Sequence, residues 1–318
     1  MIRRPFTDHK RPPYFLKGIL TMNKKVKNGI NVFLFLLPAL ALFVGVLIAP
    51  IFMSTAYSFH DMGPLDTISK DNFIGFKNYI ELFTSDSLNF PLALKNSLLL
   101  AFFSVFIQLP LSLGLALLLG KGIKGERGFL SVFFMPVLIS TIIIGQLWLK
   151  IYNPDYGLLT RALEAIGVIK EGSPIIWLGD KKIALSAAFV PILWQYVGYH
   201  MLLMYAGVKG VSPDLREAAM LDGATDSQIN RYIVIPCIKP IIKVSVIFAI
   251  TGSLKSYDLI KVLTDGGPNH ATEVPSTLMI NFLFARNRFG LGSTVAVMLI
   301  ILCFFFAIVV NRVFRRED

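Results

Sequence analysis

The pattern closest to a catalytic motif is the stretch Gly114-LALLL-Gly120-Lys121-Gly122, which would have to bind the phosphates of a nucleotide. A phosphate-binding loop has four residues between its glycines and a Ser or Thr after the lysine, which binds magnesium. Here five residues separate the glycines, and Gly122 stands at the magnesium position. We interpret the stretch as an apolar helix that runs into a glycine-rich basic loop. Any energy for work must then come from another subunit or from an ion gradient.

Metal-binding and covalent chemistry are not predicted, because the residues that would carry them are scattered. The histidines show no ligand spacing, and both cysteines lie at or in apolar segments, which indicates neither a metal site nor a disulfide framework. These residues are His9, His60, His200, His270, Cys237 and Cys303. A membrane-embedded enzyme is disfavoured as well, since no constellation of carboxylates or histidines is present.

A group of aromatic and amide side chains in one apolar run could bind a sugar by ring stacking and hydrogen bonding. The alternatives are helix packing or an interfacial aromatic belt, although belts lie at the ends of spans and this group lies near the middle. We expect the group to line a substrate path, with Tyr257 and Asn281 as weaker candidates. Its members are Trp194, Gln195, Tyr196 and Tyr199, near His200.

Asp258 is the main carboxylate within the apolar runs, and Lys255 lies three residues before it. A carboxylate near the bilayer midplane could couple transport to an ion gradient. Because three positions separate the two residues, they can also pair on one helix face or form a polar wall of the substrate path. All three interpretations stay open, and we place both residues in the outer half of the fifth run.

These groups belong to a chain of 318 residues that is 54% hydrophobic and 16% charged, whereas a soluble domain carries about 25% charged residues. Its apolar residues form six runs, each near the length of roughly 20 residues that spans a bilayer as a helix. We predict an all-α, polytopic membrane protein with six transmembrane helices and a cytosolic helix–turn–helix. The runs lie at roughly 30–57, 92–119, 129–151, 183–207, 237–260 and 292–312.

The distribution of Lys and Arg predicts how the spans are oriented. The segment before the first run, the loop at 121–127 and the C-terminal tail are rich in basic residues. The longer loops at roughly 58–91, 152–182 and 261–291 hold few for their length. The positive-inside rule then places both termini and the loop 208–236 in the cytosol. The net charge of +11 is attributed to these loops and not to nucleic-acid binding.

Residues 1–28 are basic and are expected to stay in the cytosol or at the lipid surface. The first run could be a secretory signal, but it is too long for one and no clear cleavage site follows it. We interpret it as a retained anchor, so that residues 29–318 form one six-span domain.

The polar stretch between the fourth and fifth runs predicts two short helices joined by a glycine turn. Ser212 can cap the first helix, with Pro213 at its first position, and Gly223 can end it in the left-handed conformation. Thr225 and Gln228 have the spacing of a capping box for the second helix. That helix is expected to carry an apolar face of Ile229, Tyr232 and Ile233 and to stop at Pro236.

After the fifth run, the segment from Thr264 to Thr272 is rich in glycine and polar residues and predicts a tight external loop. Its centre, Gly266-Gly267-Pro268, could be only a turn. Its position just outside a span also suits a gate or a docking surface.

Taken together, these motifs resemble the signature of binding-protein-dependent ABC transporter permeases. The sugar-type permeases related to the maltose and glycerol-3-phosphate importers are the most similar. Asp265 departs from the pattern, since many relatives have glycine there, and Tyr232 replaces a frequent phenylalanine. The matching residues are Glu217-Ala218-Ala219, Asp222-Gly223-Ala224, Pro236, Thr264, Gly266-Gly267-Pro268 and Thr272, with Tyr156-Gly157-Leu158, Trp177-Leu178 and Trp194.

The resemblance implies that the helix–turn–helix docks in a cleft of a separate ATPase. ATP and magnesium would be bound by that ATPase dimer, and this chain would hold no cofactor and catalyse no bond chemistry. A second homologous permease and an extracytoplasmic solute-binding protein would complete the complex. The implied coupling residues are Glu217, Ala218, Ala219, Asp222, Gly223 and Ala224.

The implied function is import of carbohydrate, most simply an oligosaccharide. Import of a glycerol-phosphate-type solute is the alternative within the family. An ion-coupled secondary transporter is the alternative from another class, although such a protein has no use for a cytosolic element that grips an ATPase.

Overall fold

The computed structural model describes residues 24–170 and 175–315. Most of the predicted basic N-terminal segment, residues 1–23, therefore lies outside the described residues. Across the described ranges all regular elements are helical, and strand-like pairing is limited to one isolated bridge between His60 and Phe73. The predicted all-α class is confirmed.

The chain divides into two compact units, residues 1–53 and 54–318. The described part of the first unit is helical from Lys24–Leu42 through a π-helical turn at Phe43–Ile48. The α-helix Ala49–Tyr57 follows this turn in the sequence. Within Asn31–Tyr57, span one, a window of 18 residues has a mean hydropathy of 2.9, which agrees with the predicted first run.

The second unit contains the other spans. Span two is Phe90–Leu119, span three is the bent pair Glu126–Leu138 and Thr141–Ile151, span four is Ala184–Gly210 and span six is Phe289–Arg315. Span five is Lys239–Leu263, which forms the second bent pair with the preceding helix Asp226–Cys237. In the described part of the chain, four helices are long and apolar enough to cross a membrane, and the number reaches six if each bent pair is one span. The prediction of a polytopic protein with up to six spans is confirmed.

Shorter helices connect or extend these spans. They are Lys77–Thr84, Asp86–Leu88 (3-10), Leu158–Ala165, Pro213–Leu221, Asp226–Ile229, Ile235–Cys237 and Pro275–Ile280, with π-helical turns at Asn230–Val234 and Asn281–Ala285.

Span three is not the single helix that the run at 129–151 predicted. Its two halves meet at 98°. Ile139 and Ser140 take extended backbone angles, with ψ of 139° and 131°. Pro136 lies just before them and removes one backbone hydrogen bond from the last turn of the first half, which makes a break there less costly.

Span five is also interrupted. It is bent by 71° from the preceding helix at Ile238, and its regular helix ends at Leu254 before a new helix begins at Asp258. Residues 255–257 therefore lie outside regular helix. This break, which hydropathy alone did not predict, is the feature that shapes the polar site.

Spans three and four pack at very short range through Gly198. A Cβ atom at this position would lie 1.8 Å from the carbonyl oxygen of Phe133. Small residues allow such approach between membrane helices, where van der Waals contact supplies much of the association energy. The contact fixes span four, which carries part of the polar site, against span three.

Candidate functional site

A cavity of about 420 Å³ lies among spans two, three, four and five. Its volume falls in the range of about 300–1,000 Å³ that is common for small-molecule sites. Tyrosine rings, hydroxyl groups, one amide and one pair of opposite charges line it. The polar lining residues are Ser104, Gln108, Thr141, Tyr196, Tyr199, His200, Thr251, Ser253, Lys255, Ser256, Tyr257 and Asp258.

Most residues that we expected along a substrate path meet at this cavity. Tyr196 and Tyr199 come from one face of span four, and Lys255, Tyr257 and Asp258 come from the break in span five. In a continuous helix this backbone and these side chains would face a neighbouring helix. Because of the break, they face the cavity instead. In membrane proteins, non-helical backbone at this depth is tolerated where it borders a cavity.

Lys255 and Asp258 form no ion pair with each other in the described part of the chain, although the sequence left such a pairing open. The two residues lie on either side of the helix break, so the i, i+3 geometry of a continuous helix is lost. Both side chains line the cavity. Of the three interpretations, the polar wall is the one that this arrangement matches.

Trp194 and Gln195 do not line the cavity. Successive residues in an α-helix point about 100° apart, which places Trp194 on the side of span four opposite Tyr196. Its ring lies 5.8 Å from that of Trp148, edge to face. Gln195 is only 2% exposed, and its side-chain oxygen has no hydrogen-bond partner within the described ranges. Asn281, the weaker candidate, lines a different cavity.

Sequence analysis missed the contribution of span two. A π-helical turn at Ser104–Gln108 interrupts this span beside the cavity. The Ser104 hydroxyl lies 3.1 Å from that of Ser253, and Gln108 donates to the carbonyl oxygen of Leu193 at 2.8 Å. Polar residues inside an apolar run were the available signal, since they usually face the bundle interior.

The turn after span five is a closely bonded structure. The Thr264 and Thr272 hydroxyls lie 2.7 Å apart, and Thr272 also donates to the carbonyl oxygen of Gly267 at 2.7 Å. Gly266 has φ +84°, and the Gly267–Pro268 bond is cis. Thr272 is fully buried. The predicted turn is present, but it is packed into the protein and not a simple surface loop.

Asn96 of span two holds this turn through two hydrogen bonds. Its amide donates to the carbonyl oxygens of Ala271 at 3.1 Å and Glu273 at 2.8 Å, and the side chain is buried. Glu273 in turn accepts from Thr277. Two buried carbonyl groups that would otherwise lack donors are thereby satisfied. The turn is held to span two at the same end as the break in span five.

An ion pair joins the segment before span six to the helix Lys77–Thr84. The guanidinium of Arg288 contacts both carboxylate oxygens of Glu81, at 2.8 and 2.9 Å. Such bidentate contacts are among the stronger charged hydrogen bonds. Hydrogen bonding to Glu81 raises the pKa of Arg288, which keeps the guanidinium charged throughout the accessible pH range.

The helix–turn–helix between spans four and five forms as predicted at its caps. Ser212 accepts from the amide of Asp214 at 3.3 Å at the start of Pro213–Leu221, and Gly223 has φ +80°. Thr225 and Gln228 form the predicted capping box. These local bonds fix the angle between the two helices without help from another protein.

The second helix of this element differs from the prediction in two ways. It continues through Pro236 to Cys237, since Pro236 lies in the first turn of a new helical segment, where a missing N–H costs little. A π-helical turn at Asn230–Val234 also rotates the apolar face. As a result Tyr232 is 68% exposed, and Val234 is buried in its place beside Ile229.

The exposed side of the helix–turn–helix combines charge with apolar groups. Glu217, Asp222 and Gly223 are exposed as expected, and Leu221 is 89% exposed beside them. Ala219 and Ala224 instead pack against the small core around Val208 and Ile229. The exposed leucine was missed because its position on this exposed side has no distinguishing sequence signal.

The loop 120–127, which follows span two, contacts this element. Lys121 pairs with Asp226 at 2.7 Å, and Glu126 accepts hydrogen bonds from Tyr205 and Lys209 at the end of span four. Gly120 lies against Val208, since a Cβ there would be 2.4 Å from its side chain. The helix–turn–helix is therefore joined to span two as well as to spans four and five.

The described residues include no group of three or more His, Cys, Asp or Glu side chains that could hold a metal ion. Among the comparisons with known proteins, residues 108–318 match the family described as the inner membrane component of binding-protein-dependent transport systems. This match includes the helix–turn–helix and the turn after span five, which we call the outer turn. It also includes every lining residue of the cavity of about 420 Å³ except Ser104, and we call this cavity the central cavity.

Several relatives are similar over most of the chain. A probable ABC transporter permease protein of Bacillus subtilis, YurN, is 34% identical over 91% of this chain and 97% of its own length. The trehalose/maltose transport system permease protein MalF of Thermococcus litoralis is 30% identical over 94% of this chain and 99% of its own length. The diacetylchitobiose uptake system permease protein NgcF of Streptomyces coelicolor is 32% identical over 77% of this chain and 71% of its own.

Among solved structures, a chain of a bacterial ABC transporter involved in the import of the acidic polysaccharide alginate is similar in fold, with a TM-score of 0.79 at 23% identity. The match covers 92% of this chain and 98% of that one. Since the family model covers more than half of the sequence and the relatives cover most of it, this chain belongs to the inner membrane components of binding-protein-dependent transport systems.

Proposed function

We propose that this chain is one of two permease subunits of an ATP-driven importer for carbohydrate, with an oligosaccharide as the substrate. The observation that carries the proposal is the cavity of about 420 Å³, in which tyrosine rings, hydroxyl groups and an amide surround one pair of opposite charges. Sugars are bound by ring stacking and by neutral and charged hydrogen-bonding groups. The named sugars of the MalF and NgcF relatives support the same class.

In this proposal Tyr196, Tyr199, Lys255, Tyr257 and Asp258 contact the passing sugar. Lys255 and Asp258 can donate and accept hydrogen bonds to hydroxyl groups with no net charge between them, which suits a neutral ligand. A phosphate ester would be bound best by several basic groups. The cavity lining holds one lysine balanced by one aspartate, which favours a sugar over a glycerol-phosphate-type solute.

The energy would come from a dimer of ATPase subunits, which would bind ATP and magnesium, so that this chain needs no cofactor. Glu217, Asp222 and Gly223 would contact a cleft of the ATPase, and Ala218 would allow close approach. Ala219 and Ala224 would support the contact from the core beneath. The two short helices are held by their own caps, and this rigidity allows them to transmit force without unfolding.

A second homologous permease would close the other side of the path, and an extracytoplasmic solute-binding protein would deliver the sugar. A solved alginate transporter carries a periplasmic protein with its pentasaccharide, which gives a precedent for such delivery. Both termini and the helix–turn–helix would lie in the cytosol. The turn at Gly266, Gly267 and Pro268 would then lie at the extracytoplasmic end.

The test is sugar-stimulated ATP hydrolysis by the complete complex in proteoliposomes, with its binding protein present. Maltose and chitobiose, together with their longer homologues, are the first probes. We expect at least one series to stimulate hydrolysis and uptake, and Tyr199→Ala to reduce uptake per assembled complex. Phe304→Ala, which removes an aromatic ring from span six outside the cavity, is the matched control.

Uptake that needs an ion gradient and no ATPase would refute the proposal in favour of the secondary transporter. Stimulation by glycerol phosphates and by no sugar would refute the substrate class alone.

A further inference from the structure

A second cavity, of about 530 Å³, lies beside the turn that follows span five. We call it the outer cavity. It is formed by the helix after the span-five break, the turn itself and the helix that begins at Pro275. The residues used below are Tyr257, Lys261, Asp265, Asn269, Asn281 and Phe284, all of which line it.

The walls of the outer cavity are fixed before any ligand arrives. Glu273 lies in its lining, is nine-tenths buried, and accepts from Thr277 while lying 2.8 Å from the ring nitrogen of His270. A Cβ at Gly266 would come within 2.7 Å of the Glu273 carboxylate, so the turn packs directly on this group. A site that is already ordered loses little conformational entropy on binding.

The charges in the outer cavity are largely paired with each other. Lys261 contacts Asp265 at 2.7 Å, and His270 contacts Glu273 at 2.8 Å. No excess of positive charge is left in this lining for an anionic ligand. The side-chain amides of Asn269 and Asn281, by contrast, form no hydrogen bond with any other residue in the described ranges and remain able to bind a ligand.

Free amides beside aromatic rings form a surface that fits a neutral, polyhydroxylated ligand. Phe284 is largely exposed and offers a ring face, and Tyr257 offers a second. Each amide has two donors and one acceptor oxygen, which can bind neighbouring hydroxyl groups of a sugar.

Tyr257 connects the two sites, because it lines the central cavity as well as the outer cavity. It lies in the break of span five, just before the helix Asp258–Leu263. One side chain therefore forms a wall shared by two neighbouring spaces. A ligand longer than one cavity could pass along this wall and contact both.

We propose that the outer cavity is a second carbohydrate subsite, which holds additional sugar units of an oligosaccharide whose leading unit occupies the central cavity. The proposal rests on the proposed function and adds to it that the chain selects by ligand length. A disaccharide would use the central cavity alone, whereas a hexasaccharide would use both.

The test compares two lengths of one sugar series in the reconstituted complex with its binding protein. The probes are maltose and maltohexaose, and chitobiose and chitohexaose. For the double variant Asn281→Ala and Phe284→Ala, we expect the concentration of hexasaccharide-loaded binding protein that half-saturates ATP hydrolysis to rise about tenfold, since two contacts are lost. The value for the disaccharide should stay within about twofold.

Two controls separate this result from other effects. Arg286→Ala changes the same segment, but its side chain does not line the outer cavity, and it should leave both sugars unaffected. Tyr199→Ala in the central cavity should impair both lengths. Assembly of each variant is checked by size-exclusion chromatography of the purified complex.

Equal loss for both lengths would show that the outer cavity serves docking of the binding protein and would overturn the proposal. No loss for either length in an assembled variant would overturn it as well. If no sugar of either series stimulates the wild-type complex while another solute does, the proposed function fails and the subsite fails with it.

Discussion

Replacement of Asn96 by leucine should destabilise the protein through the turn that follows span five. Asn96 is 2% exposed and donates to the carbonyl oxygens of Ala271 and Glu273. Leucine has nearly the same volume but no donor, so both carbonyl groups would lose this donor without gaining water. A buried group left unsatisfied costs about 1–3 kcal/mol, although hydrogen bonds between membrane helices average only about 0.6 kcal/mol. We therefore expect a loss of about 2–4 kcal/mol.

The assay is thermal unfolding of the purified protein in detergent, followed by intrinsic fluorescence at a fixed scan rate. For a unit of this size, 1 kcal/mol corresponds to about 2 °C in Tm, so the expected fall is about 4–8 °C. Ser97→Ala is the matched control. Ser97 lies next to Asn96 and is buried, and its hydroxyl has no hydrogen-bond partner in the part of the chain that the structure describes. Its removal should leave Tm unchanged or raise it slightly.

A Tm for Asn96→Leu equal to that of the unsubstituted protein would refute the reasoning, because it would show that the two carbonyl groups find other donors. A fall in Tm for Ser97→Ala as large as that for Asn96→Leu would show that any change on this face of span two is damaging. Either result would remove the argument that Asn96 anchors the outer turn.

Three further changes test other contacts. Glu217→Ala should lower uptake at least tenfold with Tm unchanged. Loss of one partner of a charged contact that is buried in a complex, as proposed here with the ATPase, costs about 2–5 kcal/mol. Wild-type uptake in proteoliposomes would contradict this contact. Gly198→Val should reduce the yield of folded protein on size-exclusion chromatography, because its Cβ would lie 1.8 Å from the Phe133 carbonyl oxygen. Overpacking of this kind costs about 1–3 kcal/mol or more. Normal yield and Tm would show that spans three and four can separate. Lys121→Glu should shift Tm by less than about 2 °C, because an exposed ion pair contributes at most about 1 kcal/mol to stability. A larger fall in Tm that is reversed when Asp226→Lys is added would show that this pair stabilises the fold.

The sequence was sufficient wherever structure depends on neighbouring residues. Ser212, Gly223 and the pair Thr225–Gln228 form the predicted caps, because each cap is a bond between positions two to five residues apart. Apolar run length predicted the spans for a similar reason, since bilayer thickness fixes the number of residues needed. Both predictions rest on local geometry that other parts of the chain cannot easily change.

The sequence was insufficient where helices break inside an apolar run. The hydropathy of residues 129–151 and 237–260 gives no sign of the extended pair Ile139–Ser140 or of the break before Asp258. Such breaks are stable only when neighbouring helices or a cavity satisfy the freed backbone groups. They depend on contacts between distant spans, which no local pattern encodes.

In the candidate site, too, local sequence predicts some features, whereas others depend on contacts between distant spans. Tyr196 and Tyr199 both reach the central cavity because they share one face of a helix that the sequence predicts well. Trp194 does not line this cavity, because it points in another direction around the same helix. Ser104 and Gln108 were missed because only a π-helical turn in span two brings them to the cavity.

The two interruptions of span five give it a form suited to transmitting movement. Between Ile238 and Lys255 the helix Lys239–Leu254 has 16 residues, a length of about 24 Å. Its lower end follows the helix–turn–helix, and its upper end carries Lys255, which lines the central cavity. A continuous helix would bend gradually and distribute a displacement along its length. A helix with a break at each end can instead move as one body, so that a shift of the proposed ATPase contact would reach the cavity wall at Lys255 with little loss.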